Sequence, residues 1–415
     1  MMTAGLKWQF KTKFRTRAFG WRGSKLAIDR LKEAASEIKS VAKSDPVHAG
    51  DGVVSLMERI WPALQDIDTS SGALGSAVSR TLNDLIPTLI AAPADRQTRA
   101  KWLERLFAAV QNEGVKYLAP AEERWGEIAQ YPDLINDHAD RLIDRVRRAW
   151  SDHQSFEYVI GTSICLSCLL ESGRYPELEE LFAARQMKFW PWDRFGAEAL
   201  VRQGLWEAAI ARAEAARSKT NPSFHERSID RFCEDLLIRH GHADEAYRQY
   251  GLRAAGGTTN LATYRALARA YPNRDRRQML LDLIESRGDK GKWFAAAKDA
   301  GFLDIALECA AAHGVDPATL VRAARDFSES EPRFAASVAM LAIQHLLGGG
   351  GYDPPLSDAQ DAVRYLFAPA QRADLFGWAY QELKRLVQLP CAAGRELFRV
   401  TAQAALDRQD QTRPE

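Results

Sequence analysis

The chain has 415 residues, of which 46% are hydrophobic and 27% are charged, and its formal net charge is +1 at pH 7. This composition is ordinary for a globular protein and excludes a wholly disordered chain. The longest apolar run, residues 159–170, is shorter than the ~18 residues that a membrane-spanning helix needs, so we expect no membrane role. The basic N-terminus is not followed by an apolar stretch, which argues against a secretory signal. The five irregularly spaced cysteines are typical of a reducing compartment, and we expect a cytoplasmic protein of bacterial type.

Residues 1–25 form a basic, aromatic arm. The first fifty residues hold eleven Lys or Arg against four Asp or Glu, whereas the remainder is net acidic. The aromatic side chains of the arm are Trp8, Phe10, Phe14, Phe19 and Trp21. Cations interleaved with aromatic rings suit a nucleic-acid backbone or another anionic surface. The candidate contacts to such an anion or to a partner are therefore Lys11, Lys13, Arg15, Arg17 and Arg22.

The arm has other interpretations. It would also suit an acidic protein partner or a membrane surface. Alternatively it folds back on the chain's own body, with its rings covering the first helices and its charges in solvent. The cost of exposing five aromatic rings to water favours this last interpretation.

Segments beyond the arm carry apolar residues at helical spacing, and strand patterns are almost absent. In residues 26–41, for example, Leu31, Ala34 and Ile38 fall on one face of a helix. The same periodicity predicts helices over residues 53–64, 77–91, 98–113, 132–148 and 156–171. Residues 26–150 form an irregular N-terminal helical region. We therefore predict an all-α fold.

A turn signature recurs in residues 151–347. The signature consists of an apolar helix end, a glycine, and a new helix whose first turn contains an acid. It occurs at Gly173, Gly204, Gly241 and Gly301, and Pro272 occupies one further turn. Glycine favours the left-handed conformation that ends a helix, and acids favour the first turn of the next one. The turns lie 31, 37, 31 and 29 residues apart, close to the period of tetratricopeptide (TPR) repeats. The sequence predicts a TPR-like α-solenoid of antiparallel helix pairs.

The helical pattern stops at residues 348–356. Four consecutive glycines and two prolines cannot continue a helix, so this stretch is predicted to be a linker. Residues 357–415 are predicted to form two or three helices that cap the array, followed by a frayed polar tail.

Part of the sequence resembles a known family. Residues 17–22 (RAFGWR), Pro62 and residues 68–75 (DTSSGALG) are similar to an uncharacterised bacterial family of helical-repeat proteins, a domain of unknown function. The resemblance extends over most of the chain, including residues 291–298 (GKWFAAAK). It implies a helical-repeat fold and no established activity. Some members carry a SWIM-type zinc finger ahead of this region, but its Cys-x-Cys and Cys-x-His pairs are absent here.

No catalytic, metal or cofactor site is predicted. Cys165 and Cys168 have the spacing of half a zinc site or a redox pair, but their apolar flanks and the lack of a second ligand pair favour core cysteines. Residues 68–75 resemble a phosphate-binding loop but lack its lysine. We therefore predict that a helix starts there. The N-terminus of that helix would attract an anion. An enzyme is the least favoured class, although an active site assembled from distant residues would leave no visible pattern.

Four aromatic residues lie within residues 189–195, at a junction between helices. They either pack between successive repeats or expose an anchor for a partner, and the candidate anchors are Trp190 and Trp192. The predicted function is a protein–protein interaction scaffold or adaptor that presents a helical-repeat groove to an unidentified protein partner. The alternative is a nucleic-acid-associated protein of a bacterial stress or defence system that uses the basic arm.

Overall fold

The computed structural model describes residues 7–151, 159–185, 187–217 and 225–411. Every regular element within these ranges is a helix, which confirms the all-α prediction. The chain divides into two compact units, Met1–Ile229 and Asp230–Glu415. No composition change marks this division, and the segment boundaries inferred from the sequence stay predictions.

The helices that begin in the first unit are α1 (Phe10–Lys13), α2 (Ser24–Ala42), α3 (Pro46–Leu64), α4 (Ala73–Ala91), α5 (Arg96–Asn112), α6 (Ala119–Glu123), α7 (Trp125–Ala129), α8 (Pro132–Ser151), α9 (Thr162–Glu171), α10 (Tyr175–Ala184), α11 (Trp190–Arg202), α12 (Trp206–Ala215) and α13 (Glu226–Arg239). The helices of the second unit are α14 (Ala243–Ala246), a π-helical turn (Tyr247–Gly251), α15 (Leu252–Ala254), α16 (Asn260–Ala270), α17 (Arg276–Arg287), a 3₁₀ turn (Lys290–Trp293), α18 (Phe294–Asp299), α19 (Leu303–Ala310), α20 (Pro317–Asp326), α21 (Pro332–Leu347), α22 (Leu356–Arg372), α23 (Phe376–Gln388) and α24 (Glu396–Gln411).

The helices predicted from apolar periodicity coincide with α2, α3, α4, α5 and α8. In α2 the predicted stripe of Leu31, Ala34 and Ile38 is buried, as the pattern requires. The helix predicted over residues 156–171 is α9, which begins at Thr162, and residues 156–158 lie outside the described part of the chain. The short helices α6 and α7 were not predicted, because five residues carry too little of the periodic pattern.

The four glycine turns share one hydrogen-bond pattern. Gly173, Gly204, Gly241 and Gly301 have φ values between 72° and 86°. In each turn the glycine N–H donates to the carbonyl three residues back, and the next N–H donates to the carbonyl five residues back. This pair of bonds is the Schellman motif, which satisfies the last carbonyls of a helix. The predicted left-handed glycines are therefore confirmed.

The same pair of bonds occurs at two further turns, one at Gly349 after α21, where φ is 88°, and one between α22 and α23. In the second of these, Asp374 takes the glycine position with a φ of 55°, and the Leu375 N–H donates to the Ala370 carbonyl. The turn at Pro272 is different, since the Tyr271 N–H donates only to the Leu267 carbonyl. The signature of a helix end, a glycine and an acid therefore finds four of these turns and misses those at Gly349 and Asp374.

The glycine turns lead to a first prediction. Gly204→Ala and Gly241→Ala should each reduce the free energy of unfolding by about 1 kcal/mol, because an alanine is strained at positive φ. No neighbouring atom lies within 4 Å of the position of an added Cβ at either glycine, so a loss reports backbone strain alone. Urea unfolding followed by circular dichroism measures the effect.

Gly377→Ala is the matched control. Gly377 is the second residue of α23, has no positive φ, and its added Cβ also meets no atom within 4 Å. Because alanine favours the helical conformation over glycine, this substitution should be neutral or stabilising. Equal destabilisation at all three glycines would contradict the prediction.

A cation lies in the core of the first unit. Arg99 of α5 is fully buried. Its guanidinium donates to the backbone carbonyls of Leu89 (2.8 Å) and Ala92 (2.6 Å) at the end of α4. It also donates to the backbone carbonyl of Ile128 in α7 (3.1 Å) and to the side-chain oxygen of Gln130, which follows α7 (2.8 Å). Helix C-termini have unpaired carbonyls and partial negative charge. Arg99 therefore satisfies the ends of two helices at once.

The glycine- and proline-rich segment follows the end of α21 at Leu347. It connects α21 with α22, which begins at Leu356. These two helices pack against each other, so the segment is a connection within the second unit. Three helices, α22 to α24, follow it. Among the described residues, no helix combines the length and the apolar character needed to cross a membrane.

Candidate functional site

The basic arm packs on the first unit through its aromatic rings. Trp8, Phe10, Phe14 and Phe19 are at most 4% exposed and belong to the apolar core formed with α2 and α3. Trp8 also lies against Gly52 of α3, where an added Cβ would be 2.4 Å from the indole ring. This packing matches the interpretation in which the arm covers the first helices.

Backbone hydrogen bonds hold the arm in place. The N–H groups of Gln9 and Phe10 donate to the two carboxylate oxygens of Glu37 in α2, at 2.7 and 3.1 Å. Farther along, the Arg17 N–H donates to the Pro62 carbonyl of α3 at 2.7 Å. The arm is thus tied to both helices that its rings cover.

Two of the five predicted cations make ion pairs within the first unit. Lys13 Nζ lies 2.7 Å from the Glu33 carboxylate of α2. Arg17 Nε lies 3.6 Å from the Asp66 carboxylate, which follows α3. Ion pairs this exposed contribute only about 0–1 kcal/mol each, so they are weak constraints on the arm.

The other three predicted cations are differently placed. Arg15 and Arg22 are exposed, whereas Lys11 is half-buried. Within the described ranges none of the three has an acidic side chain within salt-bridge distance. The structure does not gather the five cations into one cluster. Whether they contact an anion stays a prediction.

The structure reveals a row of lysines on α2 that the sequence reading did not single out. Lys25, Lys32 and Lys39 are seven residues apart, and Lys43 follows four residues later. Residues seven apart on an α-helix point in directions that differ by only about 20°. We call these four residues the lysine stripe. Their heptad spacing was the signal that could have found them.

The lysine stripe and the arm lie on opposite flanks of α2. Glu33 and Glu37 face the arm and contact it. Lys32, Lys39 and Lys43 instead face α4. The buried stripe of α2 separates the two flanks. The excess positive charge of the first fifty residues is therefore divided between two surfaces.

A groove of about 890 Å³ runs between α2 and α4. Its remaining cation is Arg80 of α4, and its acidic side chain is Asp84, which pairs with Lys39. Apolar and hydroxyl side chains complete the lining: Ile28, Ala35, Ser36, Ser40, Ala77 and Thr81. We call this surface the α2–α4 groove. It offers positive charge and hydroxyl donors, which are the groups that bind phosphate oxygens.

The loop-like segment of residues 68–75 is a helix start, as predicted. α4 begins at Ala73. The N-cap is Gly72 with a φ of 68°, and not a serine or threonine side chain. The Asp68 carboxylate accepts the Ser70 N–H at 2.9 Å, which closes the turn before the helix and lowers the pKa of Asp68.

The candidate partner anchors Trp190 and Trp192 are each only 5% exposed. The Trp192 ring lies 5.4 Å from that of Trp150. The Arg185 guanidinium, which pairs with Asp193, lies 5.1 Å from the Trp150 ring. This geometry matches packing between helices and not an exposed anchor, so neither tryptophan is carried forward as a partner contact.

Cys165 and Cys168 are core residues of α9, as predicted. Burial raises the pKa of the Cys165 thiol to about 12 and also raises that of Cys168, so both stay protonated at neutral pH. A protonated thiol is a poor nucleophile and metal ligand. In the described part of the chain, no group of three or more His, Cys, Asp or Glu residues is arranged to hold a metal ion.

A second groove, of about 1070 Å³, lies between α22 and α24 in the second unit. Val363 and Phe367 of α22 contribute apolar surface to it. On α24 the apolar residue Val400 is 60% exposed, and Leu397, one turn earlier, is 67% exposed. We call this surface the α22–α24 groove. The sequence reading assigned these helices only a capping role.

No protein-family model matches the chain, and no curated protein is significantly similar to it. The geometry of the two grooves is therefore the basis for proposing a function.

Proposed function

We propose that the protein is a scaffold or adaptor that binds a helix of a partner protein. Its fold is proposed to be a TPR-like solenoid of antiparallel helix pairs. The Schellman turns at the four glycines of the turn signature support this arrangement, because each one joins two helices by the same short connection. The family resemblance of residues 17–22 and 68–75 belongs to the same proposal.

The observation that carries the proposal is the α22–α24 groove. α24 exposes Leu397 and Val400, and Val400 lines the groove together with the apolar side chains of Val363 and Phe367 from α22. An exposed apolar helix face beside a groove is the usual docking site for an amphipathic helix.

The charge of the groove indicates the chemistry of the partner. Two arginines, Arg364 and Arg408, line the groove together with a single carboxylate, Asp407. The excess positive charge is complementary to acidic side chains. We therefore propose that the partner segment is an amphipathic helix whose apolar stripe is flanked by Glu or Asp.

Two synthetic peptides test this proposal. Both have leucines at helical spacing; one carries glutamates on its polar face and the other carries lysines. Fluorescence anisotropy with the full-length chain should show tighter binding of the glutamate peptide. Val400→Asp should weaken that binding roughly tenfold, because it places a carboxylate in the apolar part of the groove.

Arg399→Gln is the matched control. It changes the charge by the same one unit at an exposed position of α24 that does not line the groove, so it should leave binding unchanged. A thermal melt of both variants checks that the fold is retained. Equal binding of the two peptides, or equal loss in both variants, would refute the groove as the docking site.

A cytoplasmic location is part of the proposal. All five cysteines are free thiols, and four of them are buried. Thiols that do not form disulfides support a reducing compartment.

A further inference from the structure

We infer that the α2–α4 groove binds the phosphate backbone of single-stranded nucleic acid. This inference concerns the first unit and does not depend on the adaptor function proposed for the α22–α24 groove. It also differs from the sequence-based alternative, since the residues involved are not those of the basic arm.

The charge balance of the surface is the first observation. Lys32, Lys39, Lys43 and Arg80 line the groove and contribute four positive charges. Asp84, beside Lys39, is the carboxylate in this lining, and Asp29 pairs with Lys32 from outside it. Lys43 and Arg80 have no ion-pair partner in the described ranges. The lining therefore carries an excess of three positive charges.

The length of the stripe points to a polymer. The lining lysines run from Lys32 to Lys43, over which an α-helix advances about 17 Å, at 1.5 Å per residue. A small anion would be bound by cations that converge on one point, whereas these cations are distributed along a line. The hydroxyls of Ser36 and Ser40 lie in the same groove and supply neutral donors to phosphate oxygens.

The width of the groove favours one strand over two. The axes of packed helices lie about 8–10 Å apart, which leaves a furrow for one backbone but not for a duplex. Trp21 lies just before α2, and its carbonyl accepts the Asp68 N–H from the segment before α4, so it lies near the start of both groove helices. Its ring is 67% exposed and is a candidate platform on which an unpaired base stacks.

A fluorescein-labelled oligo-dT of twenty nucleotides, titrated with the full-length chain at 50, 100 and 200 mM salt, tests the inference. Lys43→Gln combined with Arg80→Gln should weaken binding roughly tenfold or more at 100 mM salt. The slope of log K against log salt should fall by about 1.4, or 0.7 for each lost phosphate contact. Trp21→Ala should weaken binding roughly tenfold through lost stacking.

The basic arm provides the matched control. Lys11→Gln combined with Arg15→Gln removes the same charge from the other flank of α2, and its affinity and salt slope should stay near those of the native chain. A thermal melt should show that every variant remains folded.

Four outcomes would overturn the inference. The first is that the arm variant loses as much affinity for oligo-dT as the Lys43/Arg80 variant, which would place the contact on the arm. The second is equal affinity for a duplex of the same length. The third is competition by polyglutamate as effective as that by unlabelled oligo-dT, which would indicate an acidic protein ligand. The fourth is the absence of salt-dependent binding to oligo-dT.

Discussion

Replacing Arg99 with methionine should lower the free energy of unfolding by about 3–5 kcal/mol, one of the two largest effects that we expect in this protein. Methionine fills similar volume but donates no hydrogen bond. The carbonyls of Leu89, Ala92 and Ile128 would then stay buried without this donor, and each buried unpaired carbonyl costs about 1–3 kcal/mol. Urea unfolding followed by far-UV circular dichroism gives the measurement.

Arg96→Met is the control for this substitution. Arg96 lies one turn earlier in α5, is mostly exposed and pairs with Asp133. Loss of an exposed ion pair should change stability by less than about 1 kcal/mol. If the two variants had equal stability, Arg99 would not hold the ends of α4 and α7 together.

The second large effect concerns the arm. Phe14→Ala should lower the free energy of unfolding by about 3–5 kcal/mol, because Phe14 is 1% exposed and its removal leaves a cavity between the arm and the helices beneath it. Its ring also contacts the edge of the Phe19 ring, with centroids 5.7 Å apart. Thermal and urea unfolding of the full-length variant provide the measurement.

Trp21→Ala is the comparison, since it removes a larger aromatic side chain from the same arm. Trp21 is 67% exposed, so its loss should change stability by no more than about 0.5 kcal/mol. Similar, small effects of both substitutions would mean that the arm is not part of the packed unit. The same Trp21 variant separates stability from binding, because we expect it to affect only affinity for oligo-dT.

The distribution of the net positive charge explains why we propose an anion-binding surface on α2 and not on the arm. The first fifty residues carry an excess of seven positive charges, which the sequence shows directly. Glu33 and Glu37 then attach the arm to one flank of α2, and the lysine stripe is left on the other. Charge counting predicts that an anionic ligand is plausible, but it does not tell which flank is open.

Local features of this protein were readable from the sequence alone. The positions of the longer helices follow from apolar periodicity, although α3 begins at Pro46 and not at the predicted residue 53. The turns at Gly204 and Gly241 follow from a helix end, a glycine and an acid in succession. Both signals depend on residues within about six positions of each other, because a Schellman turn closes hydrogen bonds over five residues. The burial of Cys165 and Cys168 was predictable for the same reason, since their immediate neighbours are apolar.

The surfaces proposed to bind ligands depended on tertiary structure. Trp190 and Trp192 had two interpretations until their burial was seen. The α2–α4 groove brings together Lys43 and Arg80, which are 37 residues apart in the sequence. Arg99 likewise joins the ends of α4 and α7, which are separated by a similar number of residues. The physical reason is that periodicity specifies which face of a helix is buried, but not which neighbouring helix lies beside it. Only the packing of α2 against α4 decides which cations share a groove.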